Sequence, residues 1–371
     1  MNIMKINNRK NILAIGAALF ATGASLPGIA SAQAVDLTWY GRIDLTLESN
    51  NNGTLNRTLI QNFSSRLGVK GERKFGSDLA GVFQIETGVA PDDTAQSKTL
   101  ASRNSFVGVK SVAAGSLIVG THDMPLKTLE GTAYSLWAEG DLQELIIHGK
   151  GSRVALGNAV FNNVHTRQTN VLLYTSPKFA NVTAKFAYSP DEGKTAATAT
   201  APAIAKPVMG LSVAYDDGMF NGGLATQSQK NFIAPTLTTG GSTMKGTKLV
   251  GGVKMAAWTA GVAFSKLDNG AGKKTSNYLA TGTYAIDSAI TVKASLGKSG
   301  ESASGADDSL RAIALEADYA LDKQFTVYTY YTKISNATKA KAGFVSADTN
   351  FNPVNVGEDP RALGLGIRYN F

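Results

Sequence analysis

The 371-residue chain contains no cysteine, which excludes disulfide scaffolds, thiolate metal sites and a cysteine nucleophile. Charge is also scarce: 17% of residues are Asp, Glu, Lys or Arg, against about 25% in ordinary globular proteins. Aromatic residues make up 8%. No apolar stretch after Ala32 approaches the roughly 20 residues a membrane helix needs, so a helical membrane bundle is excluded. Disorder is excluded too, because apolar residues reach 43% and are evenly spread. Glycine, by contrast, is abundant at 39 residues. The net charge is +8, and three of those charges (Lys5, Arg9, Lys10) lie in the first 32 residues without any acid, leaving +5. That surplus is small and dispersed, so no nucleic-acid partner is expected.

The first segment has the order of an export signal. A basic head to Lys10 precedes the apolar stretch Asn11 to Leu26, and Ala30-Ser31-Ala32 follows as an A-x-A site. Residues 1–32 are therefore expected to be removed on export, leaving 33–371 as one domain. A chain free of cysteine meets an oxidising periplasm without wrong pairings.

From Asp36 the sequence alternates. Leu37, Trp39, Gly41, Ile43, Leu45 and Leu47 share one parity, and Asp36, Thr38, Tyr40, Arg42, Asp44, Thr46 and Glu48 share the other. This is a period of two over about 40 Å of strand, with one oily and one wet face. Sixteen such segments start near residues 35, 58, 78, 103, 116, 169, 180, 208, 219, 247, 257, 275, 289, 310, 324 and 361. The connections alternate between short (Ala113-Ala114-Gly115, Asp216-Asp217-Gly218) and long, polar ones. All long loops then emerge on one side, as in membrane barrels. A soluble sandwich would need a second apolar face, whereas the second face here is Gly, Ser, Thr, Lys, Arg and Asp. The predicted fold is all-β: a 16-stranded antiparallel transmembrane barrel that leaves no unpaired backbone in lipid. The closing Leu363, Leu365, Ile367, Tyr369 and Phe371 suit a last strand sealing against the first.

Several ordered motifs resemble the Gram-negative trimeric porins typical of betaproteobacteria. Leu37 to Leu45 (LTWYGRIDL) is similar to that family's first strand. Leu67 to Glu86 (LGVKGERKFGSDLAGVFQIE) resembles its second hairpin, and Arg103 to Gly120 (RNSFVGVKSVAAGSLIVG) its third. Asp123 to Lys127 (DMPLK) is similar to the opening of loop 3, Arg167 to Phe179 (RQTNVLLYTSPKF) to the return into the barrel, and GLGIRYNF to the end. The likeness spans essentially all of the chain after the signal.

The resemblance implies a homotrimer in the outer membrane of a Gram-negative bacterium, in contact with its lipid. It also implies a third loop, about 122–166, folded into a water-filled pore for small polar solutes and ions. That loop carries Asp123, Glu130, Glu139, Asp141 and Glu144 against Lys127, Lys150 and Arg153. The facing wall is expected to present Arg42, Arg66, Lys70 and Lys110 by parity. Arg103 matches a family arginine and needs a bulge near Ser105 to turn inward. Such opposed charges set a transverse field across an aqueous neck. His122 stands where the family often has Arg, which leaves the ion preference open.

No cofactor, metal or catalytic residue is expected. His122, His148 and His165 have no compact metal spacing. Gly270 to Thr275 lacks both the first glycine and the hydroxyl of a phosphate loop, and no G-x-S-x-G is present. Two alternatives stand beside the diffusion channel: a surface receptor or adhesin using long loops such as 334–360, and a barrel hydrolase with a histidine beside a nucleophile.

Overall fold

The computed structural model describes residues 36–371 except 94, 96–97, 135, 150–165, 200–201, 233, 237 and 349–350. The expected export signal, Lys150, Arg153 and His165 lie outside the described residues. The hydrogen-bonded strands are β1 (Asp36–Asn51), β2 (Asn56–Asn62), β3 (Arg66–Lys74), β4 (Leu79–Gly88), β5 (Ser105–Ser111), β6 (Gly115–Asp123), β7 (Arg167–Thr175), β8 (Val182–Ser189) and β9 (Val208–Asp216). They continue as β10 (Phe220–Gln229), β11 (Met244–Lys254), β12 (Trp258–Asp268), β13 (Lys274–Ala285), β14 (Ile290–Ser299), β15 (Leu310–Ala320), β16 (Phe325–Asn336) and β17 (Arg361–Asn370).

Except for β2 and β3, each strand pairs antiparallel with the next, and β17 returns to β1 from Arg42 opposite Asn370 to Asn51 opposite Arg361. The barrel is closed. β2 and β3 both pair with β1 and together form one wall strand, so the barrel has sixteen strands, as the periodicity predicts. The break is a bulge: Leu45 faces Asn62 but Arg42 faces Arg66, a one-residue shift, with Ser64 at φ 60° between.

The loop alternation is less strict than expected. β1 and β2 are joined by residues 52–55 and β12 and β13 by 269–273, because polar residues at the strand ends continue the ladder beyond the apolar segments. Tyr328 and Tyr330 lie inward from β16, and Gly366 opposite Tyr328 gives the ring room, since a Cβ there would fall 2.2 Å from it.

The faces are inverted relative to a soluble protein. On β17, Leu363, Leu365 and Ile367 are exposed while Arg368 is buried inside. On β1, Asp44, Thr46, Glu48 and Asn50 are buried inside while Leu47 points out. An apolar outer band with a polar interior suits lipid. Leu365→Arg is expected to destabilise the barrel by about 2–4 kcal/mol, the loss for a midplane arginine on the lipid face. Denaturant unfolding in lipid vesicles measures it, and an unchanged midpoint would contradict this assignment of faces.

Candidate functional site

Between β6 and β7 the chain leaves the ladder for a segment with α1 (Pro125–Thr128), 3-10 turns at Gly131–Ala133 and Ala138–Gly140, and a π-helical turn at Gln143–Ile147. Its apolar residues Leu126, Leu136, Leu142, Ile146 and Ile147 are buried against inward side chains of the wall, including Ala263, Leu279 and Ala312. Polar contacts fix its position. Thr132 receives a hydrogen bond on its carbonyl from Thr281 Oγ1 (2.8 Å) and donates from Oγ1 to the Ala260 carbonyl (2.9 Å). Ser265 Oγ donates to the Ile147 carbonyl at 2.6 Å. Gly261 permits this approach, since a Cβ there would fall 2.4 Å from the Thr132 carbonyl carbon.

On the opposite side stands a row of guanidinium groups. Arg103 Nε donates to Glu86 Oε1 (2.5 Å), Arg66 Nε lies 3.8 Å from Glu86 Oε2, and Tyr40 OH donates to the same carboxylate at 3.0 Å. Arg42 Nε donates to Asn370 Oδ1 at 2.9 Å. Arg368 Nε donates to Asp44 Oδ2 at 2.8 Å, and Tyr328 OH donates to Asp44 Oδ1 at 2.6 Å. Three arginines thus share two carboxylates, Glu86 and Asp44, and Arg42 adds a fourth guanidinium held by Asn370.

Trp137, from the segment, sits beneath three cations. Arg368 lies 4.0 Å, Arg42 4.5 Å and Lys293 5.6 Å from its ring. Its backbone N–H donates to Glu316 Oε2 (2.7 Å), whose other oxygen accepts from Lys293 at 2.9 Å.

The acids of the segment gather on its far flank. Lys248 Nζ, fully buried, lies 2.9 Å from His148 Nε2, and His148 Nδ1 lies 3.6 Å from Glu144 Oε1. With Lys248 donating, Nε2 is the acceptor and the imidazole proton faces Glu144. Burial pushes the Asp141 carboxyl well above the usual carboxylate range, and Glu144 and Glu130 add to it. Burial raises Glu130 too, against the pull of Lys248. Tyr134 packs against Trp137 with ring centroids 5.7 Å apart. Burial pushes its hydroxyl up, Asp141 and Glu130 push further, and Arg42 opposes them.

Of the residues singled out in the sequence, Arg42, Arg66 and Arg103 come together on the wall, and Glu130, Asp141 and Glu144 on the segment. The Arg103 N–H bonds the Glu86 carbonyl (3.0 Å), where continuing the Gln84–Phe106 register would put Asn104 opposite Glu86. That one-residue offset turns Arg103 inward. Six residues stand elsewhere. Asp123 is tied to Lys127 (3.3 Å) and Arg167 (3.1 Å) at the start of the segment. Glu139 is buried and accepts from the Ser346 N–H at 3.2 Å, facing the loop after β16. Lys70 and Lys110 line a cavity of about 650 Å³ toward the short turns, which also holds His122 and Lys185; Lys110 pairs with Glu72 at 3.4 Å. His122 rests against Phe106 with ring centroids 5.5 Å apart. Sequence reasoning missed Trp137, Lys248, Lys293, Glu316 and Arg368. The inward parity of Lys248, Lys293, Glu316 and Arg368 was a usable signal, whereas Trp137 lies outside any periodic segment. Among the described residues no group of three His, Asp or Glu could hold a metal ion.

A family model described as Gram-negative porin matches residues 16–339. Outer membrane porin protein 32 of Delftia acidovorans is 25% identical over 308 residues, covering 83% of this chain and 85% of its own. Major outer membrane protein P.IB of Neisseria gonorrhoeae is 26% identical over 180 residues, 46% of this chain and 47% of its own. Among solved structures, an anion-selective porin from Comamonas acidovorans superposes with a TM-score of 0.74 at 21% identity, covering 91% of this chain and 100% of that one. OmpF of Salmonella typhi in complex with daunomycin gives 0.64 at 17% identity, covering 90% and 97%.

Proposed function

We propose, for a chain that belongs to the Gram-negative porin family and is an outer-membrane diffusion channel, that residues 122–166 form its constriction loop. The neck lies between Arg42, Arg66, Arg103 and Arg368 on the wall and Glu130, Asp141 and Glu144 on the loop. Small hydrophilic solutes and ions pass down their gradients without chemistry. We further infer that residues 1–32 are an export signal and that the channel is a homotrimer.

The observation that carries the neck is Trp137, a segment ring 4.5 Å from Arg42 and 4.0 Å from Arg368, with Tyr134 packed on it at 5.7 Å between ring centroids. The segment that carries Glu130, Asp141 and Glu144 thus meets the arginine wall inside the barrel, and the field between the two charge groups crosses the opening left beside it. Such a field orders water and penalises apolar solutes, which must displace it, while ions and polar solutes tolerate it.

The balance favours anions. Four wall arginines meet two carboxylates, and three loop acids meet one lysine, Lys248. With every carboxylate charged the two sides offset. Because Glu130 and Asp141 hold protons more tightly than ordinary carboxyls, the loop loses negative charge first. Single-channel current across a planar bilayer under a salt gradient tests this. Three coupled conductance levels and an anion-signed reversal potential are expected; single independent steps would overturn the trimer, and a cation-signed potential the charge balance.

The same shifts set a pH dependence. As pH falls, Glu130 and Asp141 take up protons before exposed carboxylates do, since both are raised. The anion-to-cation permeability ratio should therefore climb above the ordinary carboxylate range. Removing one charge about 6 Å from the water path changes an ion's energy by about 0.7 kcal/mol, roughly threefold in preference. A ratio that stays flat until exposed carboxylates titrate would contradict the assignment.

A further inference from the structure

The lipid face of the barrel is chemically asymmetric. At the ends joined by short turns, outward residues are aromatic: Trp258, Tyr284, Tyr319 and Phe325 are exposed there. This is the girdle that anchors a barrel at an interface. At the opposite ends, β14 to β17 turn cations outward instead: Lys298, Arg311, Lys333 and Arg361. The long loops put these ends on the outer leaflet side.

Below Lys298 and Arg311 the outer wall is hollow. A groove of about 700 Å³ runs across β11 to β15, lined by Leu249, Phe264, Tyr278 and Leu296 and bounded by the two cations. The ladder sets this row: Leu249 faces Phe264, Phe264 faces Tyr278, Tyr278 faces Lys298, and Lys298 faces Arg311. Leu296 is 61% exposed on the groove floor.

Like charges placed directly opposite on one sheet face repel and destabilise it. Lys333 pairs with Asp359 at 3.4 Å, yet among the described residues no carboxylate pairs with Lys298 or Arg311. An oily groove that ends at two adjacent cations at headgroup height is complementary to an acyl chain that ends at a phosphate. A planar guanidinium beside an ammonium suits phosphate oxygens. We infer that this groove binds a phosphorylated lipid of the outer leaflet, with an acyl chain along Leu249, Phe264, Tyr278 and Leu296 and the phosphate between Lys298 and Arg311. The site is separate from the pore, because all six side chains have outward parity.

The test uses the full mature protein, delipidated in detergent, with diphosphoryl lipid A as the probe and native mass spectrometry as the readout. Wild type is expected to bind it at least about tenfold more tightly than Lys298→Gln/Arg311→Gln, since two charge-assisted contacts are lost. Lys298→Arg/Arg311→Lys should retain binding, and heat-modifiable gel mobility confirms that each variant is folded. Equal affinity of the Gln variant, or equal affinity of wild type for the dephosphorylated lipid, would overturn the proposal. Loss of the oligomer in the Gln variant with unchanged lipid affinity would overturn it too and make the groove an interface between copies.

Discussion

Replacing Arg66 and Arg103 together by glutamine should lower the anion-to-cation permeability ratio about tenfold, from two charges each worth roughly threefold at about 6 Å in water. Both side chains converge on Glu86, at 3.8 and 2.5 Å, and Tyr40 donates to the same carboxylate. After the double substitution Tyr40 still partners Glu86. The wall then holds two guanidinium groups, Arg42 and Arg368, against two carboxylates, and its excess positive charge is gone. Glutamine is shorter than arginine but can still donate hydrogen bonds, so the bore widens and conductance rises, whereas the reversal potential reads the lost charge. The reversal potential under a potassium chloride gradient reads the result. An unchanged potential would mean that the water path does not run past these arginines.

The second large effect is expected at Trp137. Its ring lies within 4.0, 4.5 and 5.6 Å of Arg368, Arg42 and Lys293, cations supplied by β17, β1 and β14. One loop side chain therefore ties the segment to three separate strands. Cation–π contacts at half-exposed sites contribute about 0.5–1 kcal/mol each, so Trp137→Ala should loosen the segment by about 2 kcal/mol. Local opening would rise about thirtyfold, seen as faster amide exchange across 131–140 and as a larger, noisier single-channel current. Trp137→Phe, which keeps an aromatic face, should lie between. Unchanged exchange protection in the alanine variant would show that Thr132 and the buried leucines hold the segment by themselves.

These residues also show how far the sequence could be read. The wall strands were legible because a barrel in lipid must alternate at every step, so each starts within a few residues of its predicted position. Arg42 and Arg66 followed from the same parity. Height along the barrel did not: Lys110 points inward as expected but lies near a short turn, paired with Glu72 instead of an acid of the neck. The loop was opaque for a physical reason. Having no period, it gives no hint of which side chain meets which strand. Glu139 answers to Ser346, more than two hundred positions later, and Trp137 to β1, β14 and β17. His148, one of three unremarkable loop histidines in sequence, proves to be the partner of a buried lysine on β11.

Ions are expected to pass between the arginine wall and the acidic loop, beside Tyr134. A chain without cysteine allows this to be tested at a single thiol. Tyr134→Cys in a planar bilayer would be exposed to a negatively charged and then a positively charged methanethiosulfonate during recording. Both reagents should lower the current in discrete steps as each site reacts, and they should move the reversal potential in opposite directions. If the thiol reacts, as shown by mass, while current and potential stay unchanged, the water path runs elsewhere and the neck described here is wrong.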